Sequence, residues 1–169
     1  LVDEFDQPIG HAEKLFAHQQ GLLHRAFSIF VLRKQNNRIE MLLQQRQKAK
    51  YHSGGLWTNS CCSHPRPNED TLTAASKRLQ EEFGFTVPLT EIGVFTYRAE
   101  FANGLIEHEV DHVFVGHFDD AITINPDPDE IMSYRWLSLE DALQDFNAHP
   151  EIYTPWFAQA LEMVIQYCK

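Results

Sequence analysis

Cys62 and His64 lie two residues apart in the segment 56–65, which reads Leu-Trp-Thr-Asn-Ser-Cys-Cys-Ser-His-Pro. The thiol of Cys62 could donate a proton or act as a nucleophile, and the imidazole of His64 could bind a metal ion. On an extended backbone both side chains would leave the same face. A metal ion on His64 would then lie close to whatever Cys62 contacts. The alternative is a buried cysteine pair on a core strand, followed by a histidine in a turn.

Three carboxylates alternate with other residues along the segment 107–115, whose composition is typical of a strand. The strand period of two puts Glu107, Glu109 and Asp111 on one face. Carboxylates this close repel one another unless a cation or a shared proton compensates their charge. The alternative is the solvated face of an edge strand, which needs no cation.

Two further histidines flank a turn at Gly21, which leads into the apolar, strand-like run 26–32. The candidate ligands of a divalent ion are His18, His24, His64, Glu107 and Glu109. Imidazole-rich sites suit Zn²⁺, and mixed sites of imidazole and carboxylate also accept Mn²⁺ or Mg²⁺. No compact spacing motif joins these residues, so the sequence leaves the identity of the ion open.

The clearest helix covers residues 68–83, with an apolar stripe that includes Leu79 and Phe83 and with Gly84 directly after it. The segment resembles the Nudix box, Gly-x5-Glu-x7-Arg-Glu-apolar-x-Glu-Glu-x-Gly-apolar. The matching residues are Glu69, Leu79, Glu81, Glu82, Gly84 and Phe85. The departures are Ser63 for the first Gly, Lys77 for the Arg, and Arg78 for the first Glu of the core. A positive charge where a metal-binding Glu is expected argues against diphosphate hydrolysis. The alternative is a solvated, salt-bridged helix face.

The chain resembles the type 1 isopentenyl diphosphate isomerases over nearly its whole length. The segments that carry this resemblance are 21–28, 58–65, 107–109 and 154–157, which occur in the family's order. The family has a Nudix-like α/β fold and interconverts isopentenyl and dimethylallyl diphosphate. One segment differs, because His52-Ser53-Gly54-Gly55 stands where the family commonly has an aromatic residue, Pro and Gly.

The resemblance implies a role for each candidate residue. The first metal ion would be bound by His18, His24, His64, Glu107 and Glu109. Glu82 would hold a magnesium ion together with the substrate diphosphate. Cys62 and Glu109 would be the acid and base on opposite faces of the alkene, with Tyr97 orienting Glu109 and Trp156 facing the cationic centre. The diphosphate would contact Lys14, Arg46, Lys50 and Arg78.

Composition narrows the class of protein. The 169 residues suit a single domain, 1–169, with a sizeable core. A net charge of −10 argues against a nucleic acid or an anionic membrane as partner. No apolar run approaches the roughly 18 residues of a membrane span, and no signal peptide is evident. Three cysteines, two of them adjacent, do not form a disulfide framework, so we expect a cytoplasmic protein. We also expect a monomer that acts on a small diphosphate.

The element pattern predicts an α/β sandwich with a mixed sheet, since strands and helices do not alternate regularly. The predicted strands are 26–32, 39–46, 57–60, 92–99, 107–117 and 134–137. The predicted helices are 70–83, 139–146 and 155–167.

Two other functions compete with isomerisation. A Nudix hydrolase acting on a nucleoside diphosphate derivative would explain the helix and the metal ion, but not Cys62, Trp156 or Arg78. A zinc-binding structural domain would explain the histidines, but it leaves Cys62 and the cationic residues without a role.

Overall fold

A mixed sheet of seven strands forms the centre of the protein, seen in a computed structural model that describes residues 1–50 and 52–169. The strands are β1 (His24–Gln35), β2 (Arg38–Arg46), β3 (Trp57–Thr58), β4 (Cys61–Ser63), β5 (Leu89–Glu100), β6 (Ile106–His117) and β7 (Ile131–Ser138). The helices are α1 (Lys14–Gln20), α2 (Thr71–Phe83), α3 (Leu139–Ala148) and α4 (Phe157–Tyr167), with a 3-10 turn at Pro150–Ile152.

Strand β1 connects the two halves of the sheet. It pairs with β2 and β4 in antiparallel fashion and with β6 in parallel, and the main order is β3-β2-β1-β6-β5. Strand β7 adds to the outer side of β2. The parallel register sets His24 opposite Glu109, two of the predicted metal ligands. The predicted mixed sheet is therefore confirmed.

Helices cover both faces of this sheet. On one face, α2 places Leu79 and Phe83 in a cluster with Ile29 of β1. On the other face, Phe157 of α4 packs with Phe30 of β1. Strand β1 is apolar at consecutive positions because both of its faces are buried. This is the predicted sandwich.

Some element boundaries differ from the predictions. The sequence patterns do not indicate α1, the helix that carries His18. Gly21 follows its last residue and ends the helix with a φ of 65°. Of the strand expected over 57–60, only Trp57–Thr58 is a strand, β3, and the next strand, β4, begins at Cys61. The last helix begins at Phe157, two residues after the expected start, and Pro155 and Trp156 form a turn before it. Within the described residues, no helix is long and apolar enough to cross a membrane.

Candidate active site

Three imidazoles surround one carboxylate oxygen near the first residues of β1 and β6. The Nε2 atoms of His64, His24 and His18 lie 2.8, 3.2 and 3.8 Å from Glu109 Oε1. His18 comes from α1, His24 begins β1, and His64 follows β4, so three separate elements meet at β6. Burial alone would raise the pKa of Glu109, but the neighbouring imidazoles hold that pKa well below its usual range.

Backbone carbonyls determine which nitrogen of two of these rings carries a proton. His18 Nδ1 donates to the carbonyl of Lys14 at 2.7 Å, and His24 Nδ1 donates to that of Leu22 at 2.8 Å. The Nε2 atoms, which face Glu109, are thereby left free of backbone partners and can bind a cation. The four donor atoms lie within 4.8 Å of one another, so His18, His24, His64 and Glu109 fit a divalent ion.

Glu107 lies beside this group and not within it. It forms a second set of potential ligands with His18 and with His52, a residue that the sequence patterns do not indicate as a ligand. His52 Nε2 contacts a carboxylate oxygen of Glu107 directly, and both side chains are buried. Tyr97 joins the two sets, because its hydroxyl is 2.7 Å from Glu107 Oε2 and 2.7 Å from Glu109 Oε2.

The face of β6 that carries these glutamates is buried. Glu107, Glu109 and Asp111 are 1%, 5% and 1% exposed, and β6 lies between β1 and β5. The solvated edge face is therefore the wrong alternative. Burial and the charge of Glu109 raise the pKa of Asp111 well above its usual range, and Ser28 donates a hydrogen bond to it at 2.7 Å.

Cys62 and Glu109 line the same pocket, together with Trp156. Burial raises the pKa of the Cys62 thiol to about 12, although the Arg46 guanidinium, 3.6 Å from Sγ, opposes part of that rise. The thiol is thus protonated near neutral pH. Cys61 points the other way, into the core cluster beneath α2.

The indole of Trp156 is fixed at the wall of this pocket. Its Nε1 donates to Asn59 Oδ1 at 3.0 Å, and the backbone N–H of Thr154 donates to the carbonyl of Trp57. The Tyr97 ring lies 6.1 Å from the indole, and the Arg46 guanidinium lies 5.6 Å from its centre. A cationic centre in the pocket would therefore be close to an aromatic face.

The four predicted diphosphate ligands, Lys14, Arg46, Lys50 and Arg78, line this pocket as well. Burial and the nearby charges of Lys50 and Arg46 lower the pKa of Lys14. An anion bound among these side chains would reduce their mutual repulsion.

Carboxylates engage two of these cations. Arg78 donates to Glu82 at 2.7 Å and to Glu81 at 3.1 Å, and a third nitrogen lies 3.1 Å from Glu130. Glu130 also contacts the Lys50 ammonium group. No local motif in the sequence indicates Glu130, which lies in the loop between β6 and β7.

Glu82 is buried near the pocket, but it is not part of the pocket wall. Gln44 Nε2 and Arg78 Nε donate to its two oxygens at 3.0 and 2.7 Å. The structure therefore brings Glu82, on α2, next to the predicted diphosphate ligand Arg78.

Comparisons with known proteins agree with this geometry. A model of the NUDIX domain matches residues 22–157. The chain is 48% identical over 165 residues to isopentenyl-diphosphate Delta-isomerase 2 of Aromatoleum aromaticum, and the match covers 98% of this chain and 85% of the relative. It is 50% identical over 161 residues to isopentenyl-diphosphate Delta-isomerase 2 of Photorhabdus laumondii, covering 95% and 88%. The chain belongs to the NUDIX isopentenyl-diphosphate Delta-isomerase family.

Solved structures share the fold of this isomerase-family chain. DR0079 from Deinococcus radiodurans has a TM-score of 0.76 at 16% identity, with 96% of this chain and 95% of that chain covered. A MutT NUDIX hydrolase from Burkholderia pseudomallei has a TM-score of 0.64 at 23% identity, covering 84% and 98%. At these identities the likeness shows a NUDIX fold and carries no statement about substrate.

Proposed function

We propose that this member of the isopentenyl-diphosphate Delta-isomerase family interconverts isopentenyl and dimethylallyl diphosphate. The observation that supports this best is the placement of a protonated thiol, Cys62, and an ionised carboxylate, Glu109, in one buried pocket. We further propose that residues 1–169 act as a single domain, as a monomer in the cytoplasm. The three cysteines are free thiols, which agrees with a reducing compartment.

The reaction moves the double bond of an unactivated alkene, so it needs an acid and a base on opposite faces. The Cys62 thiol would give its proton to the terminal alkene carbon, which leaves a tertiary carbocation. The Glu109 carboxylate would then remove a proton from the carbon on the far side of the cation. A thiol with a raised pKa keeps its proton until the alkene takes it, and an ionised carboxylate is ready to accept one.

Aromatic groups would stabilise the carbocation. The Trp156 indole is held in place by Asn59, and a cation over an indole is stabilised by about 2 kcal/mol when water is excluded. The Tyr97 hydroxyl would hold Glu109 in position throughout. The pocket wall formed by these rings would also keep water from trapping the cation.

The proposed cofactors are Mg²⁺ and a second divalent ion, Mn²⁺ or Zn²⁺. When bound at the His/Glu site, the second ion supplies a positive charge that compensates the buried glutamates. His18, His24, His64, Glu107 and Glu109 are the proposed ligands there. Glu82 would share a magnesium ion with the diphosphate. Its place on α2 beside Arg78 supports this role, since Arg78 is a proposed diphosphate ligand.

The diphosphate would be bound by Lys14, Arg46, Lys50 and Arg78. Arginine can bind phosphate oxygens with two parallel hydrogen bonds, and lysine adds a compact charge. The anionic group would thus be held firmly while the hydrocarbon end reacts.

Isopentenyl diphosphate and Mg²⁺ in deuterated water provide the deciding test. We expect dimethylallyl diphosphate that contains deuterium, with no release of phosphate or pyrophosphate. Arg78 replaces a carboxylate of the hydrolase motif, so nucleoside diphosphate derivatives should remain intact. Phosphate release from such a nucleotide, without alkene isomerisation, would favour the hydrolase alternative.

A further inference from the structure

His18, His52 and Glu107 form the second group of potential metal ligands. Of these three residues, His52 has no part in the proposed reaction. We propose that His52 is a ligand of the buried metal ion, which completes a closed set of six protein donors. The six are His18, His24, His52, His64, Glu107 and Glu109. This inference rests on the proposed His/Glu metal site and adds a ligand to it.

Within each donor group the distances fit a bound ion. The donor atoms of His52, His18 and Glu107 lie within 4.8 Å of one another, and the His18 ring is 5.2 Å from the His52 ring, nearly perpendicular to it. Donors around an octahedral ion with bonds of about 2.1 Å are about 3 Å apart when adjacent and about 4.2 Å apart when opposite. The six donors form two such groups that share His18, so binding of one ion beside His18 would draw the two groups together.

The backbone that follows His52 forms a tight turn. A Cβ on Gly54 would lie 2.6 Å from the carbonyl oxygen of Lys48, so only glycine allows this close approach. Gly55 has φ +79° and its N–H donates to the carbonyl of Arg46 at 2.9 Å. The Phe101 ring packs against the imidazole at 5.5 Å. The His52-Ser53-Gly54-Gly55 sequence therefore supplies both the tight turn and the ligand.

The charges also balance with this ligand set. Glu107 and Glu109 are both buried and share the hydroxyl of Tyr97. Two carboxylates and four neutral imidazoles around a divalent ion give a net charge of zero, which lowers the cost of burying the carboxylates. Six protein donors leave no open position for water, as in a structural metal site. The ion would then position Glu109 without activating water.

Metal binding by the full chain tests the proposal directly. The protein is stripped with a chelator, reloaded with Co²⁺ or Zn²⁺, and titrated against a chromophoric chelator. His52→Ala and His52→Gln should weaken ion binding by about tenfold or more. Even the loss of a residue that only hydrogen-bonds to a metal ligand lowers metal affinity by about tenfold. X-ray absorption of the Zn²⁺ form should show four imidazoles in the parent protein and three in either variant. His117→Ala, at an exposed position on β6, is the matched control and should change neither result.

Each outcome decides the question. Unchanged affinity and an unchanged imidazole count in both His52 variants would overturn the proposal, as would two tightly bound ions per chain. His64→Ala separates this failure from that of the proposed site. If His64→Ala also binds the ion normally, then the His/Glu site itself is wrong. His52→Gln retains much of the side-chain volume, and circular dichroism checks that each variant is folded.

Discussion

A single hydroxyl joins the two glutamates of β6. Tyr97 has one proton, so its hydroxyl can donate to only one carboxylate at a time, although both lie at 2.7 Å. Burial and the charges of Glu109 and Glu107 raise the pKa of Tyr97 well above its usual value. The hydroxyl is therefore protonated near neutral pH. In the proposed reaction it would orient Glu109 and would not serve as the acid or the base.

Tyr97→Phe should separate orientation from metal binding. The phenyl ring can still pack with Phe95 and Trp156, so we expect a folded protein with normal metal content. The lost bond to a carboxylate should lower kcat for isomerisation about ten- to a hundredfold, because such bonds contribute about 1.5–3 kcal/mol. The measurements are steady-state kinetics and bound metal per chain. An unchanged kcat would mean that Glu109 is held without Tyr97.

The two adjacent cysteines should behave differently when substituted. Cys62→Ala removes the proposed proton donor and should reduce turnover about a hundredfold or more. Cys61→Ser should retain most activity, since Cys61 lies beside Glu82 in the core and its replacement can hydrogen-bond there. Activity assays and thermal melts of both variants provide the check. Equal losses would assign a structural role to the pair.

The two ends of α2 are fixed by specific residues. Asp70 caps the first turn by accepting a hydrogen bond from the Thr73 N–H at 3.0 Å. Gly84 ends the helix at φ 73°, and a Cβ there would lie 2.8 Å from the carbonyl oxygen of Asn125. The N–H of Asn125 in turn donates to the carbonyl of Phe83 at 2.8 Å. Helix α2 thus anchors the loop that carries Glu130.

Gly84→Ala should destabilise the protein more than Gly104→Ala does. Both glycines have positive φ, but a Cβ at Gly104 would meet no atom within 4 Å. We expect each substitution to cost about 1 kcal/mol for the backbone conformation, with an additional loss at Gly84 from contact with Asn125. Urea unfolding of the two variants measures the difference. Equal losses would show that the loop moves away at little cost.

Local patterns predict the elements that are long and regular. The strands over 26–32 and 107–117 and the helix over 70–83 are present as predicted. Their sequence patterns follow from burial along a single element, so they can be recognised without knowing the rest of the fold. Helix α1 has only seven residues and no side-chain cap, so its sequence lacks the usual signals. Strands β3 and β4 have two and three residues, and they are defined by their partners β2 and β1.

Two residues near the site could not be predicted from local sequence patterns. His52 and Glu130 lie outside the long elements, in segments whose course depends on distant contacts. The N–H of Gln47, for example, donates to the carbonyl of Glu130, and the two residues are far apart in the chain. The spacing of residues indicated Cys62 and the His/Glu metal ligands. Family resemblance supplied the other candidate residues, and all of these roles stay predictions.

The distribution of charge over the protein is more important for binding the proposed substrate than the net charge. The chain carries −10 overall, but its proposed substrate pocket gathers Lys14, Arg46, Lys50 and Arg78. Glu130 contacts two of these cations from a neighbouring loop. Burial opposes ionisation of Glu130, but Lys50 and Arg78 outweigh it and lower the pKa of that carboxyl.

The contribution of Glu130 to stability should disappear in acid. Since its pKa is lower in the folded state, its contribution is complete above the pKa of the unfolded chain and is lost as the pH falls through the folded value. The difference in unfolding free energy between the parent protein and Glu130→Gln should therefore shrink between about pH 6 and about pH 3. Denaturant unfolding across this range measures it. A difference that grows in acid would contradict the assignment.

Removal of the metal ion should lower thermal stability. An ion at a hundredfold excess over its Kd stabilises the folded state by about 2.7 kcal/mol, which corresponds to about 5 to 10 °C in Tm for a chain of this size. We expect a fall of this order on adding a chelator, with recovery when Mn²⁺ or Zn²⁺ is restored. In His64→Ala the chelator should have little effect. Equal shifts in both proteins would place the stabilising ion elsewhere.

The parallel pairing of β1 with β6 also determines when the site can assemble. His24 and Glu109 are 85 residues apart in sequence, and they meet only through this pairing. Closing so long a loop is entropically costly, and contacts of this kind form slowly during folding. On the ribosome, the three histidines would leave the exit tunnel well before either glutamate. A fully coordinated ion would thus mark a chain that has finished folding, and the ion would not serve as the nucleus from which folding begins.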